Sequence, residues 1–191
     1  MGLFTKKDHV ILEEIVPLIV MTAFEYPFEE NIQRVQANNP VLDKEQIDKA
    51  KEQLPYFIIA INFALLKFAA EQGKIARFKN DDPYEVDKSL GYAFAIEIGR
   101  YLQNQGADKT KASSESERIG LEALSYIDAA SSRLSDNPLI KDVFFEICSE
   151  YDTRVMGKFN KDNIEKSAII FDFAKQLYRN IDESNKKIII D

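Results

Sequence analysis

From Tyr56 to Ala70 the chain runs Tyr-Phe-Ile-Ile-Ala-Ile-Asn-Phe-Ala-Leu-Leu-Lys-Phe-Ala-Ala, with Asn62 and Lys67 as its only strongly polar side chains. A helix in contact with water keeps a polar face, so a helix apolar on nearly every side has none to offer. It must be wrapped by other elements. That requirement sets the fold: a central helix around residues 56–70, with enough partners to surround it.

The rest of the chain supplies those partners. Helical periodicity runs almost throughout, and most of the 7 glycines and 6 prolines fall at helix punctuation sites. Thr5 is placed to cap a first helix, with Asp8 complementing its dipole. That helix is expected to reach Phe24, kinked at Pro17. A short helix follows from Phe28 to Asn38, opened by Pro27 and closed by Asn38-Asn39-Pro40. Asp43 and Gln46 form a capping box. Pro55 either kinks one long helix there or begins a separate one. Asp82-Pro83-Tyr84-Glu85 is a further start signal, for a helix ending near Gln105 at Gly106. The polar stretch Ala107 to Ser113 is read as a mobile loop, with Ser114 and Glu117 capping a helix to about Ser135. Asn137-Pro138 opens the next helix, which Gly157 ends after Met156. Asp162 and Glu165 open the last, to about Asp182.

No alternating strand pattern and no internal repeat interrupts this series. The expected architecture is all-α: a single globular bundle of about seven helices over residues 1–183. A tail over 184–191 ends in Ile188-Ile189-Ile190 and either docks on the body or frays.

Several chemistries are short of parts. The chain has 1 histidine and 1 cysteine, whereas a Cys/His zinc site takes about four such ligands. His9 and Glu13 stand four apart near the expected start of the first helix, a local pair with no nucleophile beside it. Cys148 falls on an apolar helical stripe and reads as a small buried hydrophobe. No E-x-x-H motif, EF-hand loop, P-loop or dinucleotide fingerprint occurs. No catalytic residue, metal ligand or cofactor is therefore assigned.

The formal net charge of −7 repels phosphate backbones, so nucleic acid is not expected as a partner. Nor is a membrane: Glu13, Glu14 and Pro17 interrupt the apolar run Val10 to Phe24, and a span takes about 20 predominantly apolar residues. Lys6 stands where a myristoylation signal has Ser or Thr. With a single cysteine and no secretory cleavage pattern, the expected compartment is the cytoplasm.

Two constellations remain. On the helix after Pro138, the residues Ile140, Val143, Phe144, Ile147, Cys148, Tyr151 and Val155 trace a core stripe. Asp142, Glu146 and Ser149 lie opposite, with Asp152 to one side and Phe145 among the acids. An aromatic ringed by carboxylates suits a basic protein surface. Asp142, Phe145, Glu146, Ser149 and Asp152 are thus the candidate contact face of an adaptor, inhibitor or immunity-type binder.

The second constellation is Gly91, Ala95 and Gly99, four apart on one helix. They either pack against the helix around Ala60 and Ala64 or open a groove for a flat ligand. With Asn62 and the rings of Phe57, Phe63, Phe68 and Phe94 they would form an apolar-ligand or lipid site. A carboxylate enzyme using magnesium is a third reading, and it requires acids from separate helices to converge. Homo-oligomerisation is compatible with all three readings.

Overall fold

The apolar run lies within one uninterrupted helix. In the computed structural model, which describes residues 8–36, 42–79, 81–134, 139–157, 163–185 and 188–190, this helix is α3, Lys44–Glu71, with Pro55 inside it. Its start is the expected capping box. Asp43 Oδ1 accepts from the Gln46 amide at 3.0 Å, and Gln46 Oε1 accepts from the Asp43 amide at 3.1 Å. Every residue from Tyr56 to Ala64 is buried.

The two polar residues of the run are both answered. Lys67 donates to Asp87 of the neighbouring helix at 2.7 Å. Asn62 donates to the Ile58 carbonyl one turn back, at 2.9 Å. Its own helix thus supplies one acceptor for the buried Asn62 amide.

Six further α-helices are described: α1 (Leu12–Glu25), α2 (Phe28–Gln36), α4 (Pro83–Asn104), α5 (Lys109–Ser131), α6 (Ile140–Met156) and α7 (Ile164–Asn185). Helices α1, α4, α5, α6 and α7 follow one another side by side, each also touching α3, and α2 closes against α7. The all-α bundle around a central helix is thus observed. Its buried apolar residues, from Leu12 in α1 to Leu177 in α7, form one continuous cluster. Aromatic rings fill its middle. Phe57 lies 4.6 Å from Tyr151 and 6.3 Å from Tyr126 between centroids, and Phe63 lies 5.9 Å from Phe94. The Tyr151 hydroxyl donates to the Ala50 carbonyl at 2.7 Å, so its polar end is satisfied inside the core.

Some boundaries differ from expectation. The first helix begins at Leu12, not near Thr5, because Asp8–Val10 is extended as strand β1. It pairs in parallel with β2, Ile188–Ile190, with His9 opposite Ile189. Ladder pairing claims an extended backbone, so the helix waits until Ile11, whose amide donates to the Glu14 carboxylate at 3.4 Å. His9 and Glu13 accordingly do not share a helical face, and Glu13 pairs instead with Arg77.

Of the two alternatives for the tail, Ile188–Ile190 takes the docked one, pairing with β1, while α7 continues to Asn185. Residues 109–113, read as part of a loop, form the first turns of α5. The cap is Asp108, which accepts from the Lys111 amide at 2.9 Å. Ser114, the expected cap, donates to the Lys111 carbonyl inside the helix. Gly106 and Gly157 end α4 and α6 at φ 95° and 78°, a backbone region that favours glycine. Thr5, Asn38-Asn39-Pro40, Asn137-Pro138 and Asp162 lie outside the described residues.

Candidate functional site

Helix α6 has neighbours on both flanks, α5 on one side and α7 on the other. Phe144, Ile147, Cys148, Tyr151 and Val155 form its buried stripe, as the spacing requires. Burial pushes the Cys148 thiol up to about 12, so it carries no thiolate at neutral pH and acts as packing.

The five residues of the candidate contact face are placed differently from one another. Phe145 is 54% exposed. Its ring stands edge-on to Phe171 of α7, with centroids 5.1 Å apart at 72°, and Lys175 lies 5.3 Å from the far ring. Asp142 is half-buried and accepts from the Leu139 amide at 3.2 Å, closing the helix start. Glu146 faces Arg133 at 3.7 Å. Ser149 is half-buried, and its carbonyl accepts from Thr153. Asp152 turns toward α7, where Ser167 donates to one carboxylate oxygen. The structure therefore brings an aromatic to the surface with Asp142 and Glu146 on the same helix, while Asp152 is drawn inward. Sequence spacing places these residues opposite the core stripe. It does not show that α5 and α7 flank the helix that carries them.

Asp152 is an uncomfortable carboxylate. Its second oxygen is buried without a hydrogen-bond partner. Burial raises its pKa above the usual carboxylate value, against the lowering effect of the Ser167 hydroxyl. The folded state thus holds this proton more tightly than the unfolded chain does. The stability that protonation confers is complete below the ordinary carboxylate pKa and is lost as pH rises through the raised one. At neutral pH the charge is a cost. Asp152→Asn is expected to raise stability at about pH 7, with an advantage that shrinks toward about pH 4. Urea denaturation at both pH values checks this; an advantage independent of pH would refute it.

A second polar cluster had no signal in the sequence beyond separate charges. Glu150 is only 8% exposed, yet it binds Arg133 and Arg154, the latter through Nε at 2.8 Å. Arg154 also lies 3.9 Å over the Tyr126 ring and donates to Ser125 Oγ at 2.8 Å. Burial holds the Tyr126 phenol well above its usual pKa, so it stays protonated and donates to Gln53 at 2.9 Å. This network stitches α5 to α6 and to α3. Each charge in it already has a partner.

The residues of the alternative ligand site sit on α3 and α4. Gly99 is buried against Ser116 of α5, at 3.8 Å from the position of a Cβ. At Gly99 the neighbour is thus α5 rather than Ala60 or Ala64 of α3. Gly91 and Ala95 are half-buried. Phe57, Phe63 and Phe94 are buried in ring contacts, and Phe68 is half-buried. Among the described residues, no group of three or more His, Cys, Asp or Glu is gathered to hold a metal ion. Of the described helices only α3 is long and apolar enough to cross a membrane, and 67% of that stretch is buried by its neighbours.

No family model matches the chain, and neither the curated proteins nor the solved structures compared with it give a match.

Proposed function

We propose that this protein is an interaction module that docks a basic protein surface in the cytoplasm through α6. The observation that carries this reading is Phe145. A ring left 54% exposed on a helix whose other aromatics are buried keeps apolar surface in water that an interface would cover. Phe171 holds it from one side, so little side-chain freedom is lost on docking. Asp142 and Glu146 sit one turn apart on the same helix, and with the net charge of −7 they steer an approaching cation.

Two variants of the tagged protein test the proposal against wild type as baits. Phe145→Ala is expected to weaken capture of a basic partner by about 30-fold, the loss typical of a central anchor. Asp142→Lys with Glu146→Lys is expected chiefly to slow association and to abolish its salt dependence. Circular dichroism establishes that both variants are folded. If both capture the same partners as wild type with unchanged kinetics, α6 is not the docking face.

A further inference from the structure

The α4–α5 hairpin carries a second exposed apolar surface. Tyr92 is 71% exposed, Leu121 63% and Leu124 36%. The Gly99–Ser116 contact fixes the antiparallel register of the two helices. One turn further from the connecting loop, Ala95 stands level with Gly120. Another turn brings Gly91 and Tyr92 level with Leu124, and the next brings Lys88 level with Asp128. A Cβ added at Gly91 or Gly120 would meet nothing within 4 Å, so the seam between the helices stays open to the outside.

We propose that this face binds a second copy of the chain about a two-fold axis parallel to the two helices. Such an axis lays each α4 against the partner's α5. Because rotation about it leaves every residue at the same height, the antiparallel register within one chain is reproduced between chains. Lys88 then meets the partner's Asp128, and Tyr92 meets the partner's Leu124. Both contacts occur twice, as an isologous interface demands.

The charges favour this occupant. Lys88 has only a loose contact with Glu85, at 3.9 Å. Asp128 is exposed and has no cationic partner among the described residues. A basic residue on one helix and an acidic one on the other, at matching height, make the face complementary to itself. An acidic or basic foreign surface would match only one of its two halves. The surface is separate from α6, so this inference does not depend on the function proposed above.

Size-exclusion chromatography with light scattering on the full chain provides the test. The expected mass is twice 21.9 kDa, falling toward one chain on dilution. Leu121→Asp is expected to give a monomer with an unchanged thermal melt, because that side chain is exposed in the folded chain. Asp128→Lys is expected to raise the dimer dissociation constant at least about tenfold, and Lys88→Asp in the same chain to restore it. The proposal is overturned by a wild type that stays monomeric at about millimolar concentration, where even weak pairs associate. It is equally overturned by a dimer that survives Leu121→Asp, or by a charge swap that does not restore association.

Discussion

Replacing Glu150 by alanine is expected to destabilise the fold by about 3 kcal/mol, the low end of the range for stranding a buried charge. Two guanidinium groups lose their shared carboxylate. Arg133 is exposed enough to turn toward water, but Arg154 is held between α5 and α6 by Tyr126, Ser125 and Glu122. Of its carboxylate partners, its desolvated charge would keep Glu122, at 3.3 Å. For a chain of this size the loss corresponds to roughly 6–12 °C in Tm, which differential scanning calorimetry reads directly. The companion variant Glu150→Met with Arg154→Met separates two explanations. If the cost comes from an unpaired charge, removing both partners returns most of the stability. If it comes from lost packing, the double variant is worse than the single one.

The second large effect is expected at Phe57. Its ring is fully buried and touches both Tyr126 and Tyr151, so it joins α3 to α5 and α6 at one point. Phe57→Ala removes that contact and leaves a cavity that rigid neighbours cannot close. The expected loss is about 3–5 kcal/mol, with Phe57→Leu costing less than half as much. Urea denaturation measures both, and a Phe57→Ala loss below about 1 kcal/mol would mean that the surrounding helices collapse inward. Tyr126 touches Phe57 and Arg154 alike, so the Phe57 and Glu150 variants are expected to combine non-additively.

Features governed by local physics were legible from the residues. The Asp43–Gln46 and Asp82-Pro83 starts depend on groups within one turn of each other, and both occur as read. The apolar run of α3 and the stripe of α6 depend on periodicity alone. What stayed hidden depends on distant partners. Residues Asp8–Val10 are strand because Ile188–Ile190 lie beside them, and nothing within the first dozen residues encodes that neighbour. Asp108 and Ser114 are both good caps, and the choice between them falls to the side chain that reaches a free amide. For the acids of α6, spacing gives direction around the helix axis but not the partners that flanking elements bring, such as Arg133 for Glu146 and Ser167 for Asp152. For the same reason Glu150 gave no sign that it joins two arginines.

The pairing of β1 with β2 has a mechanical consequence. The strands run parallel, and the chain enters at the start of one and leaves at the end of the other. Tension applied through the flanking segments therefore pulls the two strands along their own length in opposite directions. Their ladder is loaded in shear, with its bonds sharing the force together rather than parting one after another. A clasp of this kind, joining the start of the fold to its finish, would bear a pull on the chain before the helices behind it do.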